Sequence, residues 1–143
     1  MHVAVYMIFI RGDKVLLLRR FNTGWKDGFY GLPSGHADGN ERVTDAAIRE
    51  AKEEAGIFLR EEDVRLVHIS HRKSTEREYV DFFFLAEKWD GEPQNTEPDK
   101  CDDLSWFPID SLPENILPYV RHAVTHVPPD LSFFEFGWNG ETN

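Results

Sequence analysis

Cysteine is almost absent from this sequence, which has 143 residues and a single cysteine, Cys101. One cysteine cannot form a disulfide within the chain, so a reducing, cytoplasmic setting is favoured. We interpret Cys101 as a buried structural thiol, because a nucleophilic cysteine would need a base held beside it.

Positive charge is also scarce, with 16 Lys and Arg residues against 26 Asp and Glu residues and a formal net charge of −10. This balance argues against binding a nucleic-acid backbone through a general basic surface. DNA is therefore not expected as a partner, and RNA is disfavoured. A polyanionic substrate would depend on a metal ion and a few local arginines or lysines.

Long hydrophobic runs are missing as well. The apolar run from Val3 to Ile10 is too short to span a membrane and lacks the basic leader and cleavage site of a signal peptide, so it predicts a strand and no membrane partner. With 41% hydrophobic residues, the chain can bury one sizeable core. We expect residues 1–143 to form a single domain.

The most informative stretch is Gly35 to Ile57, a glycine-containing loop followed by a helix. The segment from Val43 to Ala55 is rich in Ala, Glu, Lys and Arg and contains no proline. This composition predicts a helix, and Gly56 suits the left-handed position that follows a helix end.

Three carboxylates share one face of this predicted helix. Glu50 and Glu54 are four residues apart, and Glu53 lies beside them. Two like charges about 6 Å apart repel by roughly 3 kcal/mol at an effective dielectric of 20, so a cation is expected on this face. Oxygen donors without nearby His or Cys favour Mg²⁺ or Mn²⁺ over Zn²⁺. The alternative, common for an arbitrary helix of this composition, is a solvated glutamate face.

The spacing of the whole stretch favours the metal site. Gly35, five residues, Glu41, seven residues and then the segment Arg49 to Ile57 match the Nudix box, G-x5-E-x7-R-E-U-x-E-E-x-G-U with U apolar. The chain therefore resembles a Nudix hydrolase. The resemblance implies an α/β fold, the Nudix α/β/α sandwich with a mixed β-sheet between helices. The sequence departs from the family at Ser34, where a second glycine is usual.

The resemblance also implies roles for single residues. Outside the box, a glutamate eight residues beyond a tryptophan reaches the metal in MutT-type members, and from Trp89 this position is Glu97. The implied metal ligands are the Gly35 carbonyl and the side chains of Glu50, Glu53, Glu54 and Glu97.

The catalytic roles are implied by the same comparison. Glu50 is our candidate general base and Glu53 the alternative, since members of the family differ on this point. Glu41 and Arg49 would form an ion pair that ties the loop to the helix and fixes the angle of Glu50.

The activity implied by the family is attack of water on the pyrophosphate of a nucleoside diphosphate derivative. The loop from Trp89 to Trp106 contains the pattern EPxNxEPxKC and resembles the nucleoside triphosphate branch. We therefore expect hydrolysis of a (d)NTP or modified (d)NTP to (d)NMP and pyrophosphate. The alternative substrates are ADP-ribose or another nucleoside-diphosphate sugar, dinucleoside polyphosphates, and capped or triphosphorylated RNA ends, which the acidic charge disfavours. A nucleotide sensor without turnover is a further alternative, which the complete box disfavours.

Two further expectations concern contacts. Arg19 and Arg20 end a predicted strand, where they are either solvated or bind a substrate phosphate. Family precedent makes a homodimer plausible. The aromatic tail from Leu131 to Trp138 is expected to cap the core or a dimer contact.

The other elements follow from apolar patterns. His68 and His71 are three apart on a predicted strand and are expected on opposite faces, as structural or substrate-contact residues rather than metal ligands. The remaining predicted elements are strands at Val15 to Leu18, Asp63 to Arg72, Tyr79 to Trp89 and Trp106 to Ile109, and a helix at Ile116 to Val127.

Overall fold

A computed structural model describes residues 1–139 of the chain. Within this range the chain forms eight strands and two α-helices, with short 3₁₀ turns at Glu61–Asp63 and Ile109–Ser111. The strands are β1 (His2–Arg11), β2 (Lys14–Arg20), β3 (Tyr30–Gly31), β4 (Ser34–His36), β5 (Val64–Lys73), β6 (Glu78–Ala86), β7 (Cys101–Pro108) and β8 (Ser132–Phe136). The helices are α1 (Val43–Ala55) and α2 (Pro118–Thr125).

Strand β1 organises a mixed sheet. The strand order is β3-β2-β1-β6-β5-β8, with β4 also pairing with β1 and β7 with β2. The β1–β6 and β5–β8 pairs are parallel, while the other named pairs are antiparallel. The mixed character predicted from the family resemblance is therefore confirmed.

Successive side chains of β1 enter two different cores, because neighbouring residues of a strand point to opposite faces. Ala4, Tyr6 and Ile8 pack with the buried residues of α2, whereas Val5, Met7 and Phe9 pack with those of α1. The two helices thus cover opposite faces of the sheet, which confirms the α/β/α sandwich.

Helix α1 has the bounds predicted from its composition, Val43–Ala55. Gly56 adopts the left-handed conformation at φ +65°, and its N–H donates to the Lys52 carbonyl, which closes the helix. The buried positions of the helix are all alanine: Ala46, Ala47, Ala51 and Ala55. Small side chains let the helix lie close to the sheet, and the glutamate face then falls beside β4.

Strand β7 and helix α2 differ from their predicted bounds. Strand β7 begins at Cys101 rather than Trp106, because β2 supplies hydrogen-bonding partners along its whole length that local polarity does not reveal. Helix α2 begins at Pro118, since Leu117 is extended and its N–H donates to the Tyr30 carbonyl.

The tail forms strand β8 parallel to β5 rather than a loose cap. Phe134 and Phe136 pack on the core, so the predicted capping holds, while Phe133 is 63% exposed. His68 is buried beneath the tail, where Nε2 donates to the Ala123 carbonyl at 2.8 Å and Nδ1 pairs with the Ser132 hydroxyl at 2.5 Å. Its role is structural, as expected.

Cys101 is buried, as expected, and its thiol donates to the Asp103 carbonyl. Among the described residues, neither helix has the length and apolar content needed to cross a bilayer.

Candidate active site

The box begins where β4 passes beneath α1. At Gly35 the carboxyl group of Glu50 occupies the space in which a side chain would start, so a Cβ added there would overlap it. Only glycine allows the carboxylate to lie against the loop backbone at this point. The contact between the loop and Glu50 therefore requires a glycine at position 35.

Glu54 is the most deeply buried acid of the α1 face. Its carboxylate accepts a hydrogen bond from the Ser34 N–H at 2.6 Å. The pKa of Glu54 is raised to about 8, chiefly by burial and in smaller part by the charges of Glu50 and Glu97, while the hydrogen bond from Ser34 opposes the shift. Because the donor is a main-chain group, the serine that replaces the usual glycine leaves this contact intact.

Arg49 links the box into one cluster. Its guanidinium donates to Glu41 at 2.8 Å, to Glu50 at 2.9 Å, to Glu53 at 3.2 Å and to the His36 carbonyl at 3.2 Å. The hydrogen bond from Arg49 lowers the pKa of Glu41. The ion pair expected between Glu41 and Arg49 is thus present, and Arg49 also contacts two of the α1 carboxylates.

Glu50 is more enclosed than Glu53, with side-chain exposures of 13% and 55%. Desolvation raises the pKa of Glu50, and the hydrogen bond from Arg49 opposes that shift. A carboxylate with a raised pKa is a stronger base than a solvated one.

The loop that carries Glu97 docks at the C-terminal end of α1. The Gln94 N–H donates to the Ala55 carbonyl at 2.8 Å, and the Thr96 hydroxyl donates to the Glu53 carbonyl. Glu97 is exposed, yet its charge raises the pKa of both Glu50 and Glu54. The structure therefore brings this acid, predicted from its offset, towards the α1 carboxylates.

The donor set fits a hard divalent cation in its chemistry. Every candidate ligand is oxygen, and the acids of the cluster carry more negative charge than Arg49 neutralises. As the side chains stand, no three Asp, Glu, His or Cys side chains within residues 1–139 converge closely enough to hold an ion. In this arrangement Arg49 donates to both Glu50 and Glu53.

A cavity of about 730 Å³ opens beside the cluster. Ser34, Gly35 and Glu54 form one part of its wall. Other lining residues are Arg20, Trp25, Arg72, Tyr79 and Tyr119. Its volume lies in the range of small-molecule sites.

Comparison with known proteins decides the family. A family model of the NUDIX domain matches residues 1–127. The chain belongs to the Nudix family. It carries a Nudix hydrolase domain, in which Gly35 and Glu54 of the box line the cavity.

The similar proteins include one solved Nudix structure and two proteins that are named for different activities. A MutT Nudix hydrolase from Burkholderia pseudomallei matches with a TM-score of 0.82 at 31% identity, covering 89% of this chain and 98% of that structure. The ADP-ribose pyrophosphatase of Methanocaldococcus jannaschii is 29% identical over 112 residues, 78% of this chain and 64% of the relative. The 8-oxo-dGDP phosphatase NUDT18 of Mus musculus is 28% identical over 128 residues, 88% and 37% of the two chains. The chain thus spans from 37% to 64% of the length of these two curated relatives.

The two arginines predicted as substrate contacts lie in different surroundings. Arg20 lines the cavity of the Nudix domain, where it donates to the Trp25 carbonyl at 2.7 Å. Arg19 does not line it and pairs with Asp102 at 2.7 Å. The register of the β2–β7 pair shifts between these two residues, at the point where their surroundings differ.

Sequence reasoning did not identify the buried pair formed by Arg72, which lines the cavity, and Asp81. Asp81 has no solvent exposure and is bound by Arg72 at 2.8 Å. A signal was present, since Asp81 interrupts an apolar strand and a charge buried there needs a partner.

Proposed function

We propose that this Nudix domain hydrolyses the pyrophosphate linkage of a nucleoside diphosphate derivative. A (d)NTP or modified (d)NTP is the favoured substrate, with (d)NMP and pyrophosphate as products. The observation that carries the proposal is the contact of Glu50 and Glu54 with the Ser34–Gly35 backbone at the wall of the cavity.

The oxygen donors of the cluster would hold Mg²⁺ or Mn²⁺, which would neutralise phosphate charge and polarise the phosphorus. Its ligands would be the Gly35 carbonyl together with the side chains of Glu53, Glu54 and Glu97, and Glu50 would share the ion. The acids fit such an ion because burial and the neighbouring carboxylates raise the pKa values of Glu50 and Glu54, and a bound cation would favour their charged forms.

Glu50 is proposed as the general base that orients and deprotonates the attacking water. Its enclosed position and its bond to Arg49 fix the carboxylate against Gly35. Glu53 is the alternative base, although its side chain is 55% exposed and Glu50 is the more enclosed of the two. Arg49 and Glu41 would act on the angle of Glu50 rather than on the substrate.

Arg20 is proposed to contact a substrate phosphate. Within residues 1–139 it forms no ion pair with a carboxylate, and it lines the same cavity as Glu54. Its guanidinium is held by the Thr23 hydroxyl at 3.0 Å and by the Trp25 carbonyl. Arg19 remains a prediction without such support.

The choice of substrate rests on resemblance. Two relatives are named for nucleoside diphosphate derivatives, one for ADP-ribose and one for 8-oxo-dGDP. The loop with its two Glu-Pro pairs favours a nucleoside triphosphate, with ADP-ribose, another nucleoside-diphosphate sugar and dinucleoside polyphosphates as alternatives. A small-molecule nucleotide is the expected partner, and a homodimer and a cytoplasmic location stay predictions.

A panel assay with identification of the phosphate product tests this proposal. The panel contains the common dNTPs, 8-oxo-dGTP, ADP-ribose and a diadenosine polyphosphate, each in Mg²⁺ with an EDTA control. Pyrophosphate with a nucleoside monophosphate supports the triphosphate reaction, whereas two monophosphate products indicate ADP-ribose hydrolysis. Tight nucleotide binding without any product over hours would overturn catalysis and indicate a sensor.

A further inference from the structure

Arg72 is a buried arginine that lines the cavity. It lies on strand β5 and is 3% exposed. Its Nε and Nη2 donate to the two oxygens of Asp81 at 2.8 Å and 3.2 Å. Nη2 also donates to the Tyr6 hydroxyl at 3.1 Å, while the Ser70 hydroxyl donates to Asp81 at 2.7 Å. These bonds fix the guanidinium on the side away from Nη1.

Two aromatic rings pack close to the guanidinium of Arg72. Its central carbon lies 4.2 Å from the ring centre of Tyr79 and 4.5 Å from that of Tyr119. No described residue accepts a hydrogen bond from Nη1. Arg72 lines the cavity, so Nη1 is the nitrogen that is left to bind a ligand there.

The charge of Arg72 is already balanced by Asp81. An added phosphate at Nη1 would bring negative charge towards a carboxylate that has no contact with solvent. Arg20, without an ion-pair partner among the described residues and beside Glu54, is the better phosphate contact. The guanidinium of Arg72 has only hydrogen-bond donors, and Asp81 neutralises its charge. It is therefore better suited to bind an uncharged hydrogen-bond acceptor.

We infer that Arg72 recognises the base of the nucleotide by donating from Nη1 to a ring carbonyl oxygen. This inference rests on the nucleotide hydrolysis proposed above. With the phosphates bound at the end of the cavity that Glu54 lines, the base extends towards Arg72. Nucleotides of 6-oxopurines such as guanine and hypoxanthine are then preferred over those of adenine, which present an amino donor at the same position.

The first test compares matched nucleotides on the wild-type protein. ITP and ATP differ at position 6, and dGTP differs from the 2-aminopurine nucleotide by the carbonyl oxygen. We expect kcat/KM to be at least about tenfold higher for the carbonyl-bearing member of each pair, because the other member leaves a buried donor unpaired. Equal values, or a preference for ATP, would overturn the inference.

Variants connect this preference to Arg72. The double variant Arg72→Gln with Asp81→Asn keeps a hydrogen-bonding side chain at both positions and removes both charges together. We expect the ITP to ATP ratio to fall to near one, with folding checked by circular dichroism. A variant that loses activity equally for both nucleotides contradicts base recognition and indicates a phosphate contact or a structural role. The control Arg65→Gln lies on the same strand, bonded to the Pro128 and Pro129 carbonyls, and should keep the wild-type ratio.

A binding measurement separates this inference from the proposed function. Calorimetry with IMP and AMP in EDTA needs no turnover, so it works even if the domain hydrolyses none of the nucleotides. Tighter binding of IMP, lost in the double variant, supports the role of Arg72. Equal binding of the two nucleotides by the wild-type protein rejects it, whatever the hydrolysis assays give.

Discussion

Arg49 on α1 and Arg72 on β5 each hold carboxylates, but in opposite surroundings. Arg49 is 30% exposed at its side chain and shares several acids, including Glu41 at 21% and Glu53 at 55% exposure. Arg72 and Asp81 are 4% and 0% exposed and form a closed one-to-one pair. The first cluster holds more acids than its arginine balances and is partly open to solvent, whereas the second is a neutral pair enclosed by the protein.

From this difference we expect the carboxylate contacts near Arg49, and not those of Arg72, to change when a cation binds. In the Arg49 cluster, carboxylates can leave the arginine for a cation without exposing a bare charge to an apolar interior. In the Arg72 pair, removal of either member strands the other in a buried place. We therefore expect changes near Arg49 to affect turnover more than stability, and changes near Arg72 to affect stability as well as selectivity.

The largest effect is expected for Glu54→Gln in the open cluster. Loss of one carboxylate ligand should reduce metal-dependent kcat/KM by about 10³-fold, since the ion supplies several kcal/mol of charge stabilisation. The fold should remain, because a neutral glutamine still accepts the Ser34 N–H. The assay is steady-state hydrolysis in Mg²⁺ beside Glu62→Gln, an exposed acid outside the cluster. Wild-type turnover in Glu54→Gln would refute the ligand assignment.

Next is Asp81→Ala in the closed pair. This change leaves the Arg72 charge buried without a partner and should lower the free energy of unfolding by about 3 to 5 kcal/mol. Urea denaturation measures it against Asp102→Ala, which breaks the half-exposed pair with Arg19 and should cost at most about 1 kcal/mol. Similar losses in the two variants would remove the distinction between closed and open pairs.

Arg49→Lys should separate activity from stability. Lysine keeps the charge but cannot donate in several fixed directions to Glu41, Glu50 and Glu53. We expect kcat/KM to fall by about 10- to 100-fold with a change in stability below about 1 kcal/mol. Turnover and melting temperature measured on one preparation test this, and a stability loss without an activity loss would give Arg49 a purely structural role.

The smallest effect concerns pH in the metal-free protein. The pKa of Glu54 is raised from 4.5 to about 8, so the folded state holds this proton more tightly than the unfolded state. Stability is then fully present below about pH 4.5 and decreases as pH rises through about 8. Melting in EDTA should show this decrease in the wild type and a flatter profile in Glu54→Gln. Identical profiles would contradict burial of an ionisable acid at this position.

Helix α1 and its acids could be predicted because the information is local. Helix propensity, the Gly56 stop and the spacing of Glu50, Glu53 and Glu54 all lie within one short segment. The complete box also predicted the sandwich, through resemblance. Glu97 was predicted through the same resemblance, from its offset of eight residues from Trp89.

The remaining features depend on contacts between distant segments. Strand β7 extends to Cys101 because β2 lies beside it, and no local pattern reports that pairing. Arg72 and Asp81 meet only when β5 and β6 pair, so neither residue suggested a site by itself. Local strand geometry likewise decides that Arg20, and not Arg19, lines the cavity.

Mn²⁺ binding followed by electron paramagnetic resonance is the most direct test of the metal centre proposed on α1. We expect the wild-type protein to bind Mn²⁺ and the variant Glu53→Gln with Glu54→Gln to bind it at least about 10-fold more weakly, with loss of hydrolysis in step. Unchanged Mn²⁺ affinity in that variant would place the ion elsewhere and contradict catalysis by the carboxylates beside Gly35.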